Sequence, residues 1–173
     1  MPADTEIVAS SEIPGRWLSD TQAVYALVRG VYQADGQMSD EVYNYGSFKQ
    51  SKMFAAGVTC GDCHEPHGAK LQTPGDGACL QCHEPGKYAV AARITATRRG
   101  KSAASCVSCH MPERVDMVID RWHDHSLRVP RPDVSAKFGT PNACNDCHAD
   151  KSAQWAGTAF EIGTDRSVQT NLV

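Results

Sequence analysis

The sequence predicts a small, mostly irregular fold with short α-helices and little or no sheet. Its 173 residues include 14 glycines and 9 prolines, which favour turns over long regular elements. Aromatic residues make up only 7% of the chain, too few for a large side-chain core. The string C-x-x-C-H occurs four times and uses all eight cysteines, and it is the attachment signature of a c-type haem. We therefore expect a fold organised around four stacked haems, which supply the apolar surface that the chain lacks.

Each motif offers two thiols and one imidazole to one haem. In a c-type haem the two cysteines bind the porphyrin as thioethers, and the adjacent histidine is the proximal ligand of the iron. The predicted attachment residues are Cys60, Cys63 and His64; Cys79, Cys82 and His83; Cys106, Cys109 and His110; and Cys144, Cys147 and His148.

Other cysteine chemistries explain the motifs less well. Fifteen residues lie between Cys63 and Cys79, which fits a four-cysteine zinc site, but 34 lie between Cys109 and Cys144, which fits poorly. Zinc also gives no reason for a histidine after every pair. Disulfide frameworks and iron–sulfur clusters use other cysteine patterns. Covalent haem accounts for all four motifs.

Charge and hydropathy limit the classes of partner and the cellular location that we expect for this chain. The formal net charge is −3, and haem propionates would add about eight negative charges, so nucleic acid is not an expected partner. No run approaches the roughly 18 apolar residues of a membrane span. The first twenty residues do not read as a signal peptide, although haem is joined to such motifs outside the cytoplasm. We therefore expect a mature chain or an excised domain that works in the periplasm or outside the cell.

The first elements follow from local signals. Residues 1–19 are predicted to form an N-terminal arm that lies on the surface or clasps a neighbouring subunit, and 20–162 form the tetrahaem domain. Ser19 and Asp20 offer N-cap chemistry for an amphipathic helix that stops by Gly36, with apolar positions at Val24, Leu27, Val28 and Val31.

Residues 47–57 lead into the first motif. Ser47 and Gln50 fit a capping box for a short helix that carries Met53 and runs to Gly57. A turn-rich loop between two haems is then predicted from Cys63 to Cys79.

The second half has weaker signals. Residues 87–99 are predicted to form a helix whose arginines either pair with propionates or make a solvated basic face: Arg93, Arg98 and Arg99. Residues 111–141 are predicted to be mostly irregular, with 115–119 as a weak strand candidate. Asp150 is predicted to cap a last helix through Trp155 to about Phe160, and residues 163–173 form a C-terminal tail.

Four haems have eight axial positions, and the motif histidines fill four of them. Three other histidines are candidates for distal ligands: His67, His123 and His125. One position then remains, either open to a small molecule or taken by a side chain such as a thioether.

The internal methionines are the candidates for this last position: Met38, Met53, Met111 and Met117. We predict Met53, because its helix runs directly into the first motif; the alternative is that Met53 fills the core. His123 and His125 flank Asp124, so they are either two ligands or one ligand and one surface histidine. The prediction is three bis-histidine haems and one histidine–methionine haem.

The chain resembles multihaem c-type cytochrome domains that often occur in longer proteins with tetratricopeptide repeats. The resemblance covers about residues 30 to 156 and rests on YQADGQMSDEVYNYGSFKQSKMFAAGVTCGDCHEPH, CLQCHEPGKY, CVSCHMPERVDMVID, HDHSLRVPRPD and GTPNACNDCHADKSAQWA. It implies short helices, closely stacked haems and extracytoplasmic electron transfer, with His67 and His125 as distal ligands. Met53 stands where many related domains carry a histidine. Related domains often have a histidine-rich run between the second and third motifs, which residues 87–99 lack.

Two function classes follow. The first is an electron carrier without a substrate, acting as a relay or as a repeating unit of a conduit, with other redox proteins, multihaem cytochromes or further copies of itself as partners. The second is a small reductase that acts at one open iron. A haem-bearing module of a larger membrane complex is a third reading.

Overall fold

In the part of the chain that the structure describes, short helices and a hairpin alternate with irregular segments. A computed structural model describes residues 29–40, 42–88, 105–116 and 119–163. Its helices are α1 (Asn44–Phe48), α2 (Lys52–Ala55), α3 (Gly77–Leu80), α4 (Pro85–Tyr88), α5 (Cys106–His110), α6 (Pro132–Phe138), α7 (Ala143–Cys147) and α8 (Ala153–Gly163). A 3-10 turn covers Cys60–Asp62, and β1 (Glu113–Asp116) pairs with β2 (Asp120–His123) as an antiparallel two-stranded sheet. The predicted fold class is confirmed.

The apolar core of the described residues is small. Tyr32, Met38 and Val42 form a buried cluster, and Val31 and Trp122 pack against it. Several polar side chains are equally buried: Gln37, Ser47, Ser51, Asp124, Ser126, Ser135, Thr140 and Asn142. Hydrogen bonds between these polar groups therefore hold much of the interior together. This is expected for a chain that packs around haems and not around its own apolar side chains.

Asp35 and Gln37 tie distant segments together. The Gln37 amide nitrogen donates to the Pro141 carbonyl (2.6 Å) and to the Asp35 carboxylate (2.7 Å). Arg114 from β1 donates to the Gln37 side-chain oxygen (3.2 Å), and Arg128 donates to the Asp35 carbonyl (2.8 Å). One short turn near residue 36 thus holds the hairpin, the segment before α6 and the segment before α7.

Two helix caps differ from the prediction. The Ser51 hydroxyl, and not that of Ser47, accepts the first free N–H of α2, from Phe54 (3.0 Å), while Ser47 lies inside α1. The capping box at Ser47 is therefore wrong. Gly57 does follow α2 in a left-handed conformation (φ +88°), as its predicted end requires.

Helix α8 confirms the predicted last helix, but its cap is also corrected. Ser152 accepts the N–H of Trp155 (3.1 Å), whereas the carboxylate of Asp150 pairs with Lys151 (3.0 Å). The serine is two residues closer to the helix and can reach its first free N–H.

The predicted helix to Gly36 is wrong over residues 29–36. There the chain turns, with Gly36 donating to the Gln33 carbonyl (2.9 Å) and Tyr32 bridging to Met38. Val31 packs against the core cluster from this turn and not from a helix. The N-terminal arm 1–19, residues 20–28 and the tail from 164 lie outside the described residues, as does 89–99 of the predicted helix 87–99.

Residues 111–141 are more regular than predicted. The hairpin places Val115 opposite Arg121, so the strand begins and ends earlier than 115–119. Helix α6 begins with Pro132, whose missing N–H costs nothing in a first turn, and ends before the left-handed Gly139 (φ +71°). Helix α7 contains Cys144 and Cys147 of the fourth motif, and α6 lies between the third and fourth motifs in the chain.

Within 29–40, 42–88, 105–116 and 119–163, the helices are all too short or too polar to cross a membrane.

Candidate functional site

Each C-x-x-C-H motif folds as one helical turn. We name them turn 1 (residues 60–64), turn 2 (79–83), turn 3 (106–110) and turn 4 (144–148). In turns 1, 2 and 4 the histidine N–H donates to the carbonyl of the first cysteine at 2.9, 3.0 and 2.9 Å, and turn 3 is helix α5 itself. Side chains at positions i, i+3 and i+4 of a helix share one side. Both thiols and the imidazole of each motif are therefore gathered together.

The local sequence fixes turn 1 in this shape. Asp62, inside the motif, accepts the backbone N–H of Thr59 (2.7 Å) and its hydroxyl (2.9 Å). These bonds lower the pKa of the Asp62 carboxyl, so it stays charged and holds the start of the turn.

Backbone carbonyls orient two of the motif imidazoles. Nδ1 of His64 lies 2.8 Å from the Ala69 carbonyl, and Nδ1 of His110 lies 2.9 Å from the Arg128 carbonyl. A carbonyl only accepts, so the proton is on Nδ1 and the lone pair of Nε2 is free to bind a metal. This is the tautomer that an axial ligand requires.

His123 and His125 are held in the same tautomer. Nδ1 of His123 contacts the Met111 carbonyl, and Nδ1 of His125 contacts the His123 carbonyl, both at 2.8 Å. Burial lowers the pKa of His125, which keeps its imidazole neutral. Nε2 of the half-exposed His123 lies 3.9 Å from Glu113. Both rings can therefore offer Nε2 to an iron.

His64 and His125 face each other across a narrow gap. Their ring centroids are 6.3 Å apart, with the ring planes inclined by 34°. A metal bound at about 2 Å to one nitrogen of each ring would place the centroids about 6 Å apart. The described chain thus brings together one predicted proximal ligand and one predicted distal ligand at the spacing of a shared iron.

Aromatic rings flank the other two motif imidazoles. The Tyr88 ring meets His83 edge-on at 4.8 Å between centroids, and the Trp155 ring lies 5.0 Å from His148. Each aromatic residue comes from the helix that follows its motif, α4 or α8. These contacts restrict ring rotation, and the sequence pattern alone did not point to them.

The remaining predicted ligands are less constrained. Met53 is half-buried on α2, and His67 is exposed on the loop after turn 1. Met38 is 4% exposed in the core cluster, so it packs and is not positioned as a ligand. Met111 follows turn 3, and Met117 lies outside the described residues. The ligand roles of Met53 and His67 stay predictions.

A cavity of about 280 Å³ opens beside Cys109 of turn 3. Its walls combine apolar side chains (Pro112, Val129, Pro130, Val134 and Pro141) with the cationic Arg128 and Arg131, the acidic Asp35 and the polar Gln37, Ser135 and Asn142. Apolar walls suit a porphyrin plane, and guanidinium groups suit its carboxylates. These residues fit a haem at turn 3. The sequence had pointed to Arg93, Arg98 and Arg99, which lie outside the described residues.

The four turns follow one another in space. Burial, and then the neighbouring thiols of turn 2, raise the pKa of Cys63 in turn 1. Turn 3 contacts the residue that caps the helix of turn 2, because the Cys106 N–H donates to the Asp76 carboxylate at 2.9 Å. Helix α5 packs against α7, and burial followed by Cys109 raises the pKa of Cys144. Each attachment turn therefore lies beside the next.

The described ranges include every cysteine and histidine of the chain, and within them no three His, Cys, Asp or Glu side chains converge as a metal site would need. All eight cysteines are also free of disulfides. The donor sets instead match two thiols and one imidazole per haem.

Comparisons with known proteins agree with this chemistry. Residues 52–88 match the family model described as the doubled CXXCH motif, which indicates covalently bound c-type haem. The solved structure of the outer cell wall cytochrome OcwA is similar with a TM-score of 0.64 and 16% identity, over 87% of this chain and 44% of that one. No curated protein matches. The similarity shows a shared fold, and this chain spans less than half of that protein; the resemblance to multihaem c-type cytochromes is confirmed.

Proposed function

We propose that this protein transfers single electrons outside the cytoplasm through four covalently bound c-type haems. Haem iron supplies the redox chemistry, since it changes by one electron while its ligands stay in place. The observation that carries the proposal is the contact between successive attachment segments: Asp76, before turn 2, accepts the N–H of Cys106 in turn 3 at 2.9 Å, and helix α5 of turn 3 packs against helix α7 of turn 4. The match over residues 52–88 and the shared fold support it.

The chain's own residues would bind and orient the four groups. The eight motif cysteines form thioethers, and His64, His83, His110 and His148 are the proximal ligands. Nδ1–H bonds to carbonyls, as at His64 and His110, make an imidazole more basic and favour the oxidised iron. Backbone contacts therefore contribute to the potential of each haem.

The proposed distal ligands are His67, His123, His125 and Met53. The pairing of His125 with His64 is supported by their 6.3 Å separation and by the free Nε2 of each ring. Met53, as the thioether ligand of one haem, would raise its potential relative to the bis-histidine haems. With every iron saturated by these side chains, the haems would pass electrons on and would leave no position for a substrate.

The location and partners follow from the same chemistry. Covalent haem attachment to such motifs occurs outside the cytoplasm, so we place the protein in the periplasm or on the outer side of the cell. Its partners would be other redox proteins, multihaem cytochromes or further copies of this chain.

Carbon monoxide separates a relay from a reductase. Reduced haem-loaded protein should keep its absorption spectrum under carbon monoxide, because each iron is six-coordinate. A shifted Soret band in about one quarter of the haem, together with turnover of nitrite or a sulfur oxyanion, would instead support a reductase with one open iron. Light scattering of the same sample would distinguish a monomer from an assembly of copies.

A further inference from the structure

Asp76 lies just before turn 2, as the N-cap residue of α3, but its side chain bonds to turn 3. Its carbonyl accepts the N–H groups of Cys79 and Leu80, both at 3.0 Å, so it is the N-cap residue of α3. An aspartate in this position usually turns its carboxylate back onto its own helix. Here the side chain caps nothing in α3, and its Oδ1 accepts the N–H of Cys106, 30 residues later, at 2.9 Å.

The two turns meet at their cysteines. Burial and the charge of Asp76 raise the pKa of the Cys79 thiol, and a hydrogen bond with the Cys106 thiol lowers it. Burial, and then the charge of Asp76, raise the pKa of the Cys106 thiol to about 11. With haem attached, both sulfurs are thioethers and this thiol bond is lost. The bond from Cys106 N–H to Asp76 uses only the backbone and the carboxylate, so it can persist.

We propose that Asp76 is a positioning residue that clamps turn 2 to turn 3 and so sets the distance between the second and third haems. The proposal rests on the proposed function, since it assumes a haem on each turn. Thioethers that leave from adjacent sulfurs bring the edges of two porphyrins together. Electron transfer weakens steeply as two cofactors separate, so a bond that holds these edges controls the step between them.

Turn 1 provides a matched control. Asp62 is also an acidic residue at an attachment turn and also accepts a backbone N–H, but its partner is Thr59 of the same turn. Removal of Asp62 therefore disturbs one turn without releasing another. The comparison isolates the contact between turns from the loss of an aspartate.

The test compares haem-loaded Asp76→Ala, Asp76→Ser, Asp76→Asn and Asp62→Ala with the wild type, after mass spectrometry has confirmed four haems in each. Serine can cap α3 but is too short to reach Cys106, whereas asparagine keeps an accepting oxygen. The readouts are the Soret circular-dichroism couplet, which reports interaction between porphyrins, and the separation of the haem potentials in a redox titration.

Asp76→Ala and Asp76→Ser should lose most of the couplet and shift the potentials of the second and third haems. Asp76→Asn should resemble the wild type, and Asp62→Ala should keep the couplet, with any shift in potential confined to the first haem. A wild-type couplet in Asp76→Ser would overturn the clamp and leave the four-haem function standing. Fewer than four haems in the wild type would instead overturn the function.

A measurement on the wild type is independent of how the variants fold. In the fully reduced, diamagnetic protein, nuclear Overhauser effects should connect the thioether protons at Cys79 with those at Cys106. Their absence from an assigned spectrum would overturn the proposal.

Discussion

At the scale of single residues, backbone carbonyls orient four of the histidines that we propose as iron ligands. Four of the seven histidines place Nδ1 within 2.9 Å of a carbonyl: His64, His110, His123 and His125. A motif identifies which histidine follows two cysteines, but it does not reveal the carbonyl that orients the ring. Those carbonyls belong to Ala69, Arg128, Met111 and His123, up to 18 residues away.

The pairing of His64 with His125 leads to a direct prediction. In His125→Ala, one of four irons should lose its sixth ligand and become high-spin, because no imidazole then faces His64 across the 6.3 Å gap. His125→Met, which restores a ligand, should stay low-spin with a raised potential for that haem. Electron paramagnetic resonance and a redox titration measure both effects. An entirely low-spin spectrum for His125→Ala would refute the pairing.

At the scale of elements, sequence signals located the helices better than their caps or the hairpin. The pattern after residue 150 predicted α8, yet Ser152 and not Asp150 accepts its free N–H. Both residues are good caps, and only the backbone path decides which one reaches. Strands β1 and β2 form because they pair with each other. Four-residue segments such as ERVD and DRWH contain too little pattern for that pairing to be predicted. Pro132 and Gly139 are typical of the start and the end of a helix, and they mark the ends of α6. The other prolines between residues 111 and 141 instead suggested an irregular segment, so α6 was not predicted.

The turn at Gln37 joins several elements, so its loss should be costly. Gln37→Leu removes the donor to Pro141 and the acceptor for Arg114, whose half-buried guanidinium loses that partner. We expect the free energy of unfolding to fall by about 2–4 kcal/mol. Denaturant titration of the haem-loaded protein measures it.

Gln33→Leu is the matched control for this prediction. The Gln33 side chain makes one exposed hydrogen bond, to Ser39 at 3.0 Å, so its loss should cost less than about 1 kcal/mol. Equal losses for the two variants would show that the Gln37 bonds contribute no special stability.

At the scale of the whole molecule, we propose that attachment chemistry organises the chain more than side-chain packing does. In the described residues, a three-residue apolar cluster and a set of buried polar groups are a weak core by themselves. The low aromatic content of the chain predicted this weak core, and the four motifs predicted haems whose burial would compensate for it. The order of the turns in space could not be predicted from the sequence. Contacts such as that between Asp76 and Cys106 join residues that no local pattern links.

The number of haems tests the account most directly. Intact-mass spectrometry of the denatured protein, combined with metal analysis, counts the covalent groups and identifies their metal. We predict four haem masses added to the polypeptide and about four irons per chain, with no zinc. The bare polypeptide mass, fewer than four haems, or zinc in place of iron would contradict the account.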